Sequence, residues 1–121
     1  MKIWWQSFID AASNPAYISR LSAYLNSIAT AGTTVEVHGI SPPDRGFSRL
    51  SEFRCAVIAV DNGLEAAAQG YDAMVIGHFQ DSGLYELKSA VAIPVEMMEN
   101  PARVSAVLAR FEPHAIMHLA A

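Results

Sequence analysis

The sequence predicts an α/β protein in which a parallel sheet lies between two layers of helices. Short apolar runs rich in β-branched residues alternate with segments of helical periodicity along the whole chain, which is the pattern of β-α-β units. Five strands joined by right-handed crossovers predict a three-layer α/β/α sandwich with the flavodoxin-like strand order 2-1-3-4-5. Residues 1–121 are expected to form this single domain.

Each predicted element is delimited by proline, glycine or asparagine. The apolar runs predict strands at 1–5, 33–38, 73–77, 91–97 and 114–121. Periodic apolar positions predict helices from Asn14, as N-cap, to Gly32, from the Ser41–Gly46 loop to Gly70, over Ser82–Ala90, and from Asn100 to about Phe111.

The second predicted helix has two unlike faces. Large apolar side chains share one face, and the opposite face is small and weakly polar; the large set is Phe53, Val57, Val60 and Leu64, and the small set is Cys55, Ala59, Asn62 and Ala66. We interpret the small face around Cys55, Ala59 and Ala66 as a candidate for helix packing between the subunits of a homodimer.

Composition excludes several classes of function. A net charge of −4 without a run of Lys or Arg argues against a nucleic-acid partner, and no stretch of 18 apolar residues indicates a membrane span. The single cysteine excludes an internal disulfide, and the N-terminus lacks the layout of a signal peptide, so the cytoplasm is expected. The four histidines lack metal-ligand spacing, and no glycine-rich turn follows the first strand. We therefore expect no metal and no cofactor.

Polar residues collect where the predicted strands end, which is where open parallel sheets bind ligands. Gln6 and Ser7 follow the first strand, and His78 to Ser82 follow the third, after Gly77. A histidine there would titrate near neutral pH, so the segment could bind a small carboxylate or serve as an acid/base site. The alternative is that Asp81 or Ser82 only caps the next helix and that His78 is a solvated strand-end residue.

Several segments resemble the N-terminal half of the aspartate/glutamate/hydantoin racemase superfamily, over about residues 1–95. They are MKIWWQSF, GTTVEVHGISPPDR, EFRCA and QGYDAMVIGHFQDSGLYELKSAVAIPV. The resemblance implies two similar α/β domains with substrate between them, and one acid/base thiol from each domain on opposite faces of the α-carbon. In the motif GHFQDSGL, His78 stands where the family has its first thiol, and Ser82 replaces a proline.

The same resemblance implies which residues would hold the polar end of a substrate, without any cofactor. His78 would be the catalytic group, and the binding groups would be Gln6, Ser7, Asn62, Phe79, Gln80, Asp81, Ser82 and Gly83. The second domain and its thiol are not in this sequence, so one of the two bases that racemisation needs has no counterpart.

Residues from about 99 to 121 resemble a different source. The segment RVSAVLARFEPHAIMHLAA is similar to a helix and strand of the nucleotide-sugar dehydratases and epimerases, with His114 in place of an aspartate. This resemblance implies a chimera in which residues 96–121 complete the sheet of a racemase half-domain and cover its edge.

Three functions follow from these observations. The first is a stand-alone flavodoxin-like domain, engineered or recombined, without a complete catalytic cycle. The second is a residual racemase or isomerase that acts on a small amino-acid or hydantoin-like substrate through His78 in a dimer cleft. The third is a module that binds a small carboxylate through Gln6, Ser7 and the loop after the third strand.

Overall fold

The computed structural model describes residues 1–46, 48–78, 80 and 82–98. Strands and helices alternate strictly within this part of the chain. In order they are β1 (Lys2–Ser7), α1 (Pro15–Ile28), β2 (Thr34–His38), α2 (Arg49–Ala68), β3 (Ala73–Gly77), α3 (Leu84–Ala90) and β4 (Val95–Met97).

The strands form a parallel sheet with the order β2-β1-β3-β4. β1 lies between β2 and β3, and its Ser7 is level with Gly77 at the carboxyl end of β3. The predicted α/β class and the order of the first four strands are confirmed. The helix predicted after Asn100 and the fifth strand predicted at 114–121 lie outside the described residues.

The sheet separates two apolar clusters, one on each face. Trp4 points into the cluster covered by α2 and α3, and Trp5 points into the cluster on the α1 side. This alternation is what a strand buried on both faces produces, because successive side chains leave it in opposite directions. None of the helices α1, α2 and α3 combines the length and the apolar character needed to span a membrane.

The orientation of α2 corrects the expected use of its two faces. The small face is buried against the sheet, through Cys55, Ala59, Gly63 and Ala66. Of the large apolar set, Phe53, Val57 and Leu64 are turned to solvent, with Phe53 67% exposed, whereas Val60 is half-buried against the core. The interpretation of the small face as a subunit contact is therefore wrong, because small side chains here let the helix backbone lie close to the sheet.

Two helix ends and one capping interaction differ from the predicted ones. Asn14 occupies the N-cap position of α1, but its side chain donates to the Asp10 carbonyl instead of capping the helix. The same helix ends at Ile28, since Ala29 is extended. At α3 the N-cap is Gly83, with φ of 82°, and no side chain caps the helix, so the expected cap from Ser82 is wrong.

Candidate functional site

The carboxyl ends of β1, β2 and β3 bring three loops together, and a buried contact between a histidine and an aspartate lies among them. His78, the residue after β3, places Nε2 3.4 Å from Oδ2 of Asp44, which lies in the loop after β2. The two side chains are only 8% and 2% exposed. The expectation of a solvated His78 is therefore wrong, and the histidine is part of the protein interior.

The fold positions Asp44 from both sides. Its Oδ1 accepts a hydrogen bond from the Ser51 hydroxyl in the first turn of α2 and one from the Gly46 N–H at 3.3 Å. Its own N–H donates to the Phe8 carbonyl at 3.4 Å. A buried carboxylate is costly unless it is paired and hydrogen-bonded, and Asp44 meets both conditions. The start of α2 thus holds the acidic partner of His78 in place.

His78 has a defined orientation because both of its ring nitrogens face protein groups. Nδ1 accepts the Gln80 N–H at 3.1 Å, so in the neutral ring the proton belongs on Nε2, toward Asp44. The Phe8 ring packs against the imidazole, with 4.5 Å between centroids. Chemically this is an aspartate that fixes the tautomer and the direction of a histidine. Any proton transfer through Nδ1 requires the Gln80 N–H to move away first.

A close backbone approach explains the glycine before His78. A Cβ on Gly77 would lie 2.8 Å from the Gln6 carbonyl oxygen and would overlap the Trp5 indole. Only a residue without a side chain fits between these groups. Gly77 therefore fixes where β3 ends and where the histidine begins.

Gln6 lies beneath the site and joins several segments. It is fully buried, and its Oε1 accepts from the Trp4 indole at 3.1 Å and from the Asn62 amide at 2.8 Å. Its Nε2 donates to the carbonyls of Ser7 at 2.9 Å and Gly39 at 3.0 Å. The structure therefore brings Gln6 and Asn62 together, with the amide atoms of Gln6 occupied by protein partners.

The remaining candidates lie around the loop after β3. Ser7 is buried, and its Oγ accepts from the Ile9 N–H at 3.4 Å. Ser82 is also buried, and its Oγ and the Oε1 of Gln80 have no hydrogen-bond partner among the described residues. Gly83 begins α3 against α2, because a Cβ there would lie 2.9 Å from the Ala56 carbonyl. Phe79 and Asp81 lie outside the described residues.

Cys55 lies on the buried face of α2 and is only 1% exposed. Burial raises the pKa of its thiol, and the negative charge of Asp44 raises that pKa further. A reactive thiol needs the opposite shift. Cys55 is therefore a packing residue of the interior.

A second polar cluster lies at the β2 edge of the sheet, away from the Asp44–His78 pair. His38 stacks on Trp4 with ring centroids 3.4 Å apart, and its Nε2 lies 3.2 Å from the Tyr71 hydroxyl. That hydroxyl also bonds to the Glu36 carboxylate, which pairs with Lys2 at 3.1 Å. These contacts hold Tyr71, which precedes β3, against β1 and β2.

Metal binding finds no support within the described part of the chain. Over residues 1–46, 48–78, 80 and 82–98, no group of three His, Cys, Asp or Glu side chains is placed to hold an ion.

Asp44 is the site residue that the sequence did not reveal. The prolines of SPPDRG correctly indicated a loop, but its aspartate was not predicted to be buried. The usable signal was a carboxylate a few residues after β2, at the same end of the parallel sheet as His78, with only β1 between β2 and β3.

Comparison with solved structures supports the fold described above. The chain is similar to allantoin racemase from Klebsiella pneumoniae, with a TM-score of 0.72 over 89% of this chain. Sequence identity is 21%, and the match covers 43% of the racemase chain, so this sequence spans less than half of that protein's length. No protein-family profile and no curated protein sequence matches. The likeness establishes the fold, and the chemistry rests on the residues.

Proposed function

We propose that this chain is a racemase-type half-domain that does not complete a catalytic cycle by itself. The buried Asp44–His78 pair carries the proposal. Racemisation removes a proton from one side of a carbon and returns it from the other, so it needs two positioned acid/base groups. The described loops at the carboxyl end of the sheet offer one such group, His78, oriented by Asp44. The racemase-like fold over 43% of a longer chain supports the same proposal.

A residual isomerase is the second candidate, and the Asp44–His78 contact favours it. A carboxylate beside a histidine holds the ring in one tautomer and stabilises the imidazolium that forms when the ring takes a proton. In this function His78 would exchange the α-proton of a small amino-acid or hydantoin-like substrate on one face, without a cofactor. A second subunit would have to supply the other face.

A carboxylate-binding module is the third candidate, and it draws support from Ser82. The Ser82 Oγ and Gln80 Oε1 are buried polar atoms that lack protein partners among the described residues, and such atoms are rare unless water or a ligand meets them. The buried Asp44 charge, however, would repel a second carboxylate placed beside His78. This function is therefore ranked below the other two.

Hydrogen–deuterium exchange at the substrate α-carbon separates the three functions. Allantoin, hydantoin, aspartate and glutamate would be incubated with the protein in D2O and followed by proton NMR. The half-domain proposal predicts exchange at the buffer rate. Exchange that is lost in His78→Ala, but kept in the control His38→Ala, would overturn it in favour of the isomerase. Amide shifts at Ser7 and 80–83 without exchange would instead support the binding module.

Two further predictions belong to this proposal. We infer a cytoplasmic location and no nucleic-acid or membrane partner, supported by the net charge of −4 and the single buried cysteine. We also propose that residues 96–121 have a recombined origin, because the sequence of this segment resembles a different family. Neither is needed for the role of the Asp44–His78 pair.

A further inference from the structure

The outward face of α2 is an apolar stripe that none of the other described elements covers. Leu50, Phe53, Val57 and Leu64 are 59%, 67%, 50% and 45% exposed. They lie opposite the small residues that pack on the sheet, so the stripe follows the helix on its solvent side. Monomeric proteins scatter exposed apolar residues singly, whereas a continuous row marks a contact surface.

The spacing of the stripe makes it complementary to itself. Leu50, Val57 and Leu64 are separated by seven residues, about two helical turns, so Val57 is midway between two leucines. When a second α2 lies antiparallel across Val57, each Leu50 meets the Leu64 of the other copy and the two Val57 side chains meet each other. The helix has 20 residues, or about 30 Å of length, which is ample for such a contact.

Charged residues beside the stripe select this antiparallel arrangement. Arg54 and Asp61 are both exposed, lie seven residues apart on one flank, and stand on either side of Val57. In the antiparallel pair, Arg54 of each copy faces Asp61 of the other, which gives two equivalent ion pairs. In a parallel pair, this flank of the two copies would lie on opposite sides of the interface, so Arg54 and Asp61 could not form these pairs. Charge complementarity therefore favours the antiparallel direction.

We propose that a second copy of this chain docks on the α2 stripe and forms a symmetric homodimer whose two-fold axis passes beside Val57. Such an interface uses the same patch on both subunits. It differs from the subunit contact predicted from the sequence, because it uses the large apolar face of α2. It is also independent of any chemistry at His78.

Sedimentation over a concentration series tests the dimer. Wild-type protein is expected to dimerise reversibly. Val57→Asp is expected to weaken the dimer by about 100-fold or more, because two like charges then meet at the axis. Tyr24→Asp is the matched control, since Tyr24 is an exposed apolar residue of α1, and it should leave the dimer unchanged. Circular dichroism checks that each variant is folded.

Exchanging the charges tests the direction of packing. Arg54→Asp and Asp61→Arg should each weaken the dimer, because each creates two like-charge contacts. The double variant, with both substitutions, should recover it. A wild-type chain that stays monomeric, a dimer that Val57→Asp leaves intact, or a double variant as weak as the single ones would overturn the proposal. Tight capture of a different protein by a monomeric chain would assign the stripe to another occupant.

Discussion

The Gln6 side chain links β1, α2 and the loop after β2 by hydrogen bonds. It is fully buried, and its hydrogen bonds reach three segments: Trp4 and Ser7 in its own strand, Asn62 in α2, and the Gly39 carbonyl after β2. A side-chain amide can satisfy both donors and acceptors at once, which a leucine of similar size cannot do. Gln6 therefore keeps the strand ends in register beneath His78.

Replacing Gln6 should destabilise the protein strongly. Gln6→Leu keeps the volume but leaves buried polar groups without partners, so we expect the free energy of unfolding to fall by about 2–4 kcal/mol. Asn62→Ala, which removes one hydrogen bond at a half-buried position, should cost about 1 kcal/mol. Urea unfolding followed by tryptophan fluorescence measures both. Equal losses in the two variants would contradict the central role given to Gln6.

Helix α2 shows why its inward face had to be small. Gly63 lies against Leu87 of α3 and Met74 of β3, where a Cβ would overlap the leucine side chain and lie 3.1 Å from the methionine sulfur. The helix can approach the sheet this closely only where side chains are short. Close packing of the backbone, more than side-chain hydrophobicity, thus decides which face of α2 is buried.

Gly63→Ala should test this packing directly. Alanine is the better helix former by about 1 kcal/mol, yet we expect a net loss of stability of about 1–3 kcal/mol because the added methyl group overpacks the α2–α3 contact. Gly46→Ala is the control, since a Cβ there meets open space. Denaturant midpoints of both variants provide the measurement. A stabilised Gly63→Ala would show that α2 can move outward without cost.

At the scale of the whole molecule, stability should depend on pH through the β2-edge cluster. Burial lowers the pKa of His38, more than the nearby Glu36 carboxylate raises it. The folded protein therefore binds the His38 proton less readily than the unfolded chain does. As pH falls through about 6.5, the unfolded state takes up the proton first, and the free energy of unfolding decreases.

His38→Phe should reduce this dependence on pH. The phenyl ring can keep the stacking on Trp4 but cannot be protonated. The unfolding free energy of the variant should therefore fall less than that of the wild type between about pH 7.5 and 5. The pKa of Glu36 is itself lowered by its bonds to Tyr71 and Lys2. The stabilisation that Glu36 contributes is therefore lost only below pH 4.5, outside this window. Denaturant titrations at several pH values supply the slopes. Parallel slopes in the two proteins would contradict the assignment to His38.

The fold followed from the sequence more completely than the site did. β3 was predicted to the residue, because a buried parallel strand is a continuous apolar run between glycines. The catalytic candidate His78 was placed at the correct strand end for the same reason. Its partner Asp44 was not predicted, because periodicity does not reveal which polar side chain of a loop turns inward. That choice depends on Ser51 and Gly46, which reach the carboxylate only in the folded chain.

The single buried cysteine gives the molecule an internal reporter. Cys55 faces the sheet next to the Asp44 loop, and its raised pKa keeps the thiol protonated as long as it stays covered. A thiol reagent can then reach it only during excursions in which α2 lifts from the sheet. The rate of labelling therefore measures how often the helix opens. A ligand that holds the loops at this end of the sheet in place would lower this rate.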